Sequence, residues 1–429
     1  MMFLHDGERQ DAAPPAGEPA VPGMTPSGRF EARWLLWAAG GAATLVASGA
    51  VFDFAHALYA YLAAFMFCLT LVLGMMFWVM LHHVTDAAWS TVVRRPAEQC
   101  LAALPWLAAL LVPILAFAWK IYPWVGADLA KDKILREKAA YLNVPFFLVR
   151  AAVFFGAWLL LARIFRGRSL RQDETGDPRL SLSMRRWSAP AFFVYALTFT
   201  FAGIDWVMTL DPHWFSTVFG VYLFAGAAVA SMALLTLMAV VLSRPGGRLE
   251  GKVSDDTLHD MGKLLFAFSV FWAYIAFSQY FLIWYANLPE ETVWFMHRWH
   301  GGWKVMSVLL PVGQFVVPFV VLMSGVVKRK PAVMIGASLV ILASHYLDLY
   351  WLIFPHAHTH HPLAAGVWID AAALVMVGSL VAWVIVRAIA QHPAYPIHDP
   401  RLAEALAAGH HPAAHETPAA PAAAEVTGV

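Results

Sequence analysis

Apolar residues fall in ten blocks of roughly 20, each bounded by charge, Pro or Gly, and about 20 residues is what a helix needs to cross the ~30 Å hydrocarbon core of a bilayer. The blocks are Trp34–Phe54, Ala57–Leu81, Leu101–Trp119, Pro145–Phe165, Ala189–Leu210 and Val218–Ser243 in the first part of the chain. Leu264–Ala286, Val305–Val327, Val333–Phe354 and Val367–Ile389 complete the set. The pattern predicts an all-α polytopic membrane protein of about ten helices spanning residues 34–390. A polar extension, 1–33, precedes it, and an Ala/Pro/His-rich tail, 391–429, follows. The tail cannot bury enough apolar surface to fold alone and is expected to be disordered or draped on a partner.

Charge placement sets the expected orientation, because Lys and Arg are retained on the cytoplasmic side. With the N-terminus inside, most of the 29 lysines and arginines fall in inner segments, among them Arg94, Arg95, Arg163, Arg166, Arg168, Arg185, Arg186, Arg244 and Arg248. Four of the eight exceptions, Lys131, Lys133, Arg136 and Lys138, cluster in one outer connection, Ile121–Asn143, where Asp128, Asp132 and Glu137 accompany them. A second outer connection, Asn287–Trp303, is rich in Trp and His. Both termini are therefore expected in the cytoplasm.

Composition agrees: 60% of the 429 residues are hydrophobic and 13% charged, against about 25% charged in soluble domains, and mean hydropathy is +0.61. The net charge of +1 and the lack of a concentrated basic surface argue against a nucleic-acid partner. Cys68 and Cys100 have no ligand spacing, so an iron–sulfur site or disulfide framework in this chain is not expected. P-loop, Rossmann and Ser-His-Asp patterns find no support.

Ionisable groups at membrane depth are costly and mark a pathway, a pair or a buried contact. His345 lies midway along the ninth block, and Asp348 follows three residues later on the same helix face. Tyr346 and Tyr350 form a neighbouring stripe. Asp205 sits in the outer third of the fifth block, with Arg150 at comparable depth as its counter-ion. Asp53, His56 and Asp370 lie at similar outer depth. His82, His83 and Asp86 end the second block at the inner boundary, and Gln279, Tyr280 and Gln314 add polar atoms between the two sides. Such groups can together pass protons. The alternatives are interhelical hydrogen bonds that fix packing for His345, Asp348 and Asp205, and snorkelling to the interface for His82, His83, Asp86, Asp53 and Asp370. His356, His358, His360 and His361 crowd one outer turn with spacing that can bind a metal, although a flexible exposed cluster need not ligate anything. A b-type haem needs two axial His at matching depth, and His345 has no evident partner.

Two stretches resemble a known family. The first runs Ala202-Gly203-Ile204-Asp205-Trp206-Val207-Met208-Thr209-Leu210-Asp211-Pro212-His213-Trp214, continuing to Tyr222. The second runs Asp260-Met261-Gly262-Lys263-Leu264-Leu265-Phe266, continued by Phe271-Trp272-Ala273-Tyr274 through Gln279-Tyr280 to Asn287. They are similar to the second NrfD-type (polysulfide-reductase-like) membrane subunits of bacterial alternative complex III, the ActF family, and the similarity extends over the ten-span region. The resemblance implies two four-helix bundles plus two peripheral helices in a bacterial inner membrane. It also implies partners: a related NrfD-like subunit, iron–sulfur and multihaem cytochrome c subunits, membrane lipid and the quinol pool. The complex oxidises quinol in respiratory or photosynthetic electron transfer to a cytochrome c or another acceptor. On this reading the chain binds no redox cofactor of its own, can contact quinone, and contributes a proton path or a scaffold. Two further readings stay open. One is a purely structural subunit; the other is a stand-alone secondary transporter with helices broken at Pro105, Pro113, Pro311 and Pro318.

Overall fold

The computed structural model describes residues 32–357 and 366–408. Among them ten helices are long and apolar enough to cross a membrane: α1 Arg33–Phe52, α2 Phe54–Thr85, α3 Thr91–Ala116, α4 Val144–Thr175, α5 Arg179–Leu210, α6 Phe219–Leu242, α7 Asp255–Ala286, α8 Trp303–Leu322, α9 Pro331–His356 and α10 Val367–Gln391. No strand occurs among the described residues. The protein is an all-α polytopic membrane protein.

Local chemistry sets the helix ends. Asn143 caps α4 through a side-chain oxygen that accepts from the Phe146 N–H at 3.0 Å, with Pro145 in the first turn, where its missing N–H costs nothing. Gly176 closes the same helix at φ +66°, a left-handed conformation that glycine adopts without strain. Ser254 caps α7, and Asp255 and Asp256 in the next turn complement the helix dipole. Several helices outrun their apolar blocks at the arginine-rich end: α2, α4 and α7 each have 32 residues, about 48 Å at 1.5 Å per residue. Hydropathy marks where lipid ends, and intrahelical hydrogen bonding carries the helix on into the polar layer.

Helices α2–α5 form one four-helix bundle and α6–α9 a second, joined where α2 packs along α6; α1 and α10 pair with each other against α2 and α3. The central pair is the most enclosed, with 83% of the most apolar window of α2 buried and 72% of that of α6, against 22% for α1, α7 and α8. Close approach of α2 and α6 depends on small residues, as van der Waals contact between membrane helices requires. Gly74 faces Ala227 and Ser231, and a Cβ there would stand 2.2 Å from Ser231 Oγ and 2.5 Å from the Ala227 carbonyl. One turn on, Trp78 Nε1 donates to the Ala228 carbonyl and to Ser231 Oγ, both at 3.1 Å. Replacing Gly74 with alanine is expected to force the two bundles apart at a cost of about 1–3 kcal/mol. A lowered thermal midpoint in detergent would register it, and an unchanged midpoint would mean the contact yields freely.

The segment after α10 departs from expectation. Residues 392–408 fold back across the arginine-rich end and finish in a short helix, Leu402–Ala408. Arg248 Nη2 donates to the His392 carbonyl at 2.7 Å, and its other terminal nitrogen donates to the Ile389 carbonyl. The Ile397 N–H donates to Asp173 at 3.1 Å. The segment packs a small apolar cluster, Ala394 with Val92 and Leu249 and with Tyr395, Leu402 and Leu406 against them, and it supplies a carboxylate, Asp399, to Arg94 buried beneath it. The polar extension up to residue 31 and the tail from 409 lie outside the described residues.

Candidate functional site

Three buried polar centres occupy the helical interior. The first lies in the second bundle, where α9 meets α6 and α7. Asp348 is 2% exposed; Tyr222 O–H donates a short hydrogen bond to its Oδ1, and Trp272 Nε1 donates to Oδ2 at 3.2 Å. No cation pairs with it among the described residues. His345, fully enclosed, places Nε2 2.9 Å from the Thr70 hydroxyl of α2. That hydroxyl also lies 3.0 Å from the Phe67 carbonyl, its natural acceptor. His345 Nε2–H is then the donor to Thr70, which leaves Nδ1 as a buried acceptor without a partner in the described protein.

His345 and Asp348 do share a face, and that face meets Gly226. A Cβ at Gly226 would lie 3.0 Å from His345 Nδ1 and 3.5 Å from Asp348 Oδ2. Both atoms therefore border the small space that the missing side chain leaves. Toward the arginine-rich end, Ser338 lies about two turns before His345 on α9, and its buried hydroxyl lacks a partner among the described residues. So do the Ser269 hydroxyl on α7 and both amide atoms of Gln314 on α8. Gln314 sits in a π-helical turn, Val312–Val316, which widens the helix between Pro311 and Pro318. Buried polar atoms of this kind are ordinarily satisfied by internal water. With Asp348 and His345 they are buried hydrogen-bonding groups on α7, α8 and α9 of the second bundle.

Arg298 stands at the opposite, tryptophan-rich end of this bundle and is 1% exposed. It donates to the Trp351 and Leu352 carbonyls at 3.1 and 3.0 Å and lies 3.4 Å over the Trp294 ring. A guanidinium on the last carbonyls of α9 complements the negative end of that helix. Burial pulls Arg298 well below the ordinary arginine range, opposed by Asp211 and then Tyr222.

The second centre is in the first bundle. Arg150 Nε donates to Asp205 Oδ2 at 2.6 Å, Tyr141 O–H donates to Oδ1 at 2.8 Å, and Arg150 Nη1 donates back to the Tyr141 carbonyl at 2.8 Å. The guanidinium lies 3.8 Å over the Tyr141 ring. Burial first, and then the Asp205 carboxylate, push the Tyr141 phenol above its usual range, so it remains a proton donor to that carboxylate. Arg150 and Asp205 thus form a buried ion pair, with Arg150 Nη2 left without a hydrogen-bond partner among the described residues. Asp205 belongs to a different bundle from His345 and Asp348, and its hydrogen bonds run to Arg150 and Tyr141 and not to them.

The third centre joins α2, α9 and α10. His56 Nε2 lies 2.8 Å from Asp370 Oδ1, and Tyr350 O–H donates to Oδ2 at 3.2 Å. Both His56 and Asp370 are buried, so the snorkelling expected of Asp370 does not occur. Tyr346, whose buried hydroxyl has no hydrogen-bond partner among the described residues, packs edge-on against Phe67. It lies between His345 and Tyr350 along α9.

The remaining candidates resolve differently. Asp53 is exposed and caps α2, accepting from the His56 N–H at 2.9 Å. Gln279 is buried and accepts from Ser216 at 3.0 Å. Tyr280, next along the helix, turns outward at 46% exposure against Phe295 and joins none of the three centres; adjacent residues do not share a helix face. Asp86 is part-exposed and pairs with Arg401 at 2.5 Å and Arg185 at 3.1 Å. His82 and His83 are buried rather than snorkelling. His82 meets Ser90 and Arg94, each at 2.6 Å, and His83 stacks on Phe165. His356 lies 3.3 Å from Arg298 Nη2; His358, His360 and His361 lie outside the described residues.

Sequence reasoning missed an ionic cluster altogether. Arg94 pairs with Glu98 at 2.8 Å and with Asp399 at 2.7 Å. Arg95 pairs with Asp173 at 2.6 Å and with Glu98 at 3.2 Å. All five are buried or nearly so. Reading charges as loop placed Arg94 and Arg95 outside the third span, whereas α3 begins at Thr91. The spacing of Arg94 and Glu98, one helical turn apart, was the available signal. Tyr222, Trp272 and Thr70 carried none, because each is an ordinary residue of an apolar helix.

The chain matches no family model, and no curated protein matches it.

Proposed function

We propose that this chain is an NrfD-type membrane subunit of a quinol-oxidising electron-transfer complex of the alternative complex III kind, in which it carries protons through its second bundle. The observation that carries this reading is Asp348: a deeply buried carboxyl with two neutral donors, a histidine one turn away and no cation. Asp205 has a permanent cationic partner. Of the two, only Asp348 can change charge without stranding a buried guanidinium. Ser338, Ser269, Gln314 and His345, all buried in the same bundle, offer groups through which a proton can be relayed by hydrogen bonds and water. The pair of four-helix bundles flanked by α1 and α10 agrees with the architecture that the family resemblance implies.

In this reading the haem c and iron–sulfur centres belong to partner subunits, and quinol is drawn from the membrane. The arginine-rich end faces the cytoplasm of a bacterial inner membrane. A scaffolding share of the work is favoured by Arg150–Asp205–Tyr141 and His56–Asp370–Tyr350, which tie helices together at the tryptophan-rich end. A transporter built on broken helices gains less support. Helix α8 is interrupted by a π turn, while α3 continues through Pro105 with only a short 3-10 turn.

Purification from native membranes in mild detergent tests the assignment. Haem-bearing and iron–sulfur chains are expected to co-isolate in fixed ratio, whereas a colourless, solitary chain of full stability would reject it.

A further inference from the structure

Between the two bundles at the arginine-rich end lies a cavity of about 320 Å³, lined by none of the residues of the three polar centres. Helices α2 and α3 of the first bundle and α6 and α7 of the second all contribute to its wall. Val79, Val93, Ala97 and Met232 are each 1% exposed and form its closed part. Leu81, Thr85, Trp89 and Leu264 are partly or fully exposed, so the cavity opens on their side.

Depth identifies what that opening meets. Leu81 ends the apolar block of α2 and Leu264 begins that of α7, which puts the mouth where hydrocarbon gives way to head groups. From Thr85 the wall rises to Trp78, about 10 Å toward the membrane centre at 1.5 Å per residue. The mouth therefore faces the acyl chains of one leaflet.

The wall is poor in free polar atoms. Trp78 Nε1 donates to α6, the His82 nitrogens meet Ser90 and Arg94, and the Thr85 hydroxyl donates to the Leu81 carbonyl at 2.7 Å. Arg94 gives Nε to Glu98 and Nη1 to Asp399, and its Nη2 is out of reach of a water molecule. A cavity water needs two to four polar partners, and apolar cavities stay dry. Charges at the mouth are likewise paired, Asp86 with Arg185 and Arg401, and Lys263 with Asp260, so no free cation selects an anionic ligand. An empty space of this size forfeits the dispersion contacts of its lining. Hydrocarbon is the filler at hand.

We infer that this cavity holds one acyl chain of a phospholipid from the leaflet at the arginine-rich end, seated between the two bundles and recognised by its chain and not by its head group. The inference does not depend on the electron-transfer reading, and co-purification of haem-bearing chains neither supports nor weakens it.

The test uses the full chain in nanodiscs of phosphatidylcholine whose acyl chain carries a diazirine, with labelled residues mapped by mass spectrometry after illumination. Labelling is expected at Val79, Val93, Ala97 or Met232, which the bulk bilayer cannot reach, as well as at exposed residues of α7 such as Val270 and Phe277. Leu264→Trp and Leu81→Trp, which crowd the mouth from different bundles, should each lower the enclosed labelling about tenfold and leave the exposed labelling unchanged. Thermal midpoints measured alongside confirm folding, and either variant suffices if the other misfolds. Labelling confined to exposed residues of the folded wild type would overturn the inference, as would enclosed labelling that the folded variants retain. Phosphatidylglycerol carrying the same chain should label equally, and enclosed labelling that requires it would contradict recognition by the chain. An excess of decyl-naphthoquinone separates the two sources of hydrocarbon: unchanged labelling is expected, and its loss would assign the cavity to a quinone and overturn the phospholipid.

Discussion

Replacing Arg150 by alanine should destabilise the protein by about 3–5 kcal/mol, the usual cost of removing one member of a buried ion pair. The variant strands the Asp205 carboxylate in the interior, with Tyr141 as its remaining side-chain donor among the described residues. It also removes the guanidinium that ties the start of α4 to the Tyr141 carbonyl and the Tyr141 ring. Native folding free energies are commonly about 5–15 kcal/mol, so a loss of this size should appear as poor recovery of folded protein and a much lower thermal midpoint. The double variant Arg150→Met with Asp205→Leu keeps the volume and removes both charges. It should recover most of the loss, since an apolar replacement of a whole buried pair is often neutral or better. Equal midpoints for Arg150→Ala and the wild type would show that the pair contributes nothing.

Asp348→Asn should leave the protein folded and slow proton-coupled quinol turnover of the assembled complex by about 100-fold, at the lower bound of what a positioned proton-transfer group contributes. Asparagine keeps the shape, its carbonyl oxygen accepting from Trp272 Nε1 while its NH2 donates to the Tyr222 hydroxyl, but it cannot release a proton. Gly226→Ala provides an independent probe: the added methyl would lie 3.0 Å from His345 Nδ1, occupying the space bordered by the histidine and the carboxyl. It should impair turnover without removing any titratable group. Reconstituted liposomes that report quinol oxidation and proton release together would register both effects. If these centres only lock helices, the outcome reverses, with assembly impaired and chemistry per assembled complex unchanged.

Ten spans were legible because the lipid core imposes one length on every crossing, and that length is written into the apolar blocks. The pairing of Arg150 with Asp205 was legible too, since opposite charges at one membrane depth have few other partners. His345 and Asp348 could be placed on one face from their spacing alone. Which helix that face meets could not: α6 is apolar nearly all round, so Tyr222 and Gly226 stand out only once α9 is seated against them. The start of α3 was obscured for the opposite reason. Arg94, Arg95 and Glu98 look like a solvated loop, yet they are buried, because Asp173 of α4 and Asp399 from the far end of the chain neutralise them. Low complexity likewise concealed the fold of residues 392–408, which the arginines beneath and a small apolar cluster of Ala394, Tyr395, Leu402 and Leu406 with Val92 and Leu249 hold in place.

The central claim is that Asp348 takes up and releases a proton as the complex turns over. Redox-difference infrared spectroscopy of the purified complex in H2O and D2O reads the C=O stretch of a protonated carboxyl directly. The account predicts a band that appears or vanishes with quinol oxidation, shifts on deuteration, and is absent from Asp348→Asn. A difference spectrum identical in that region for wild type and Asp348→Asn would contradict it.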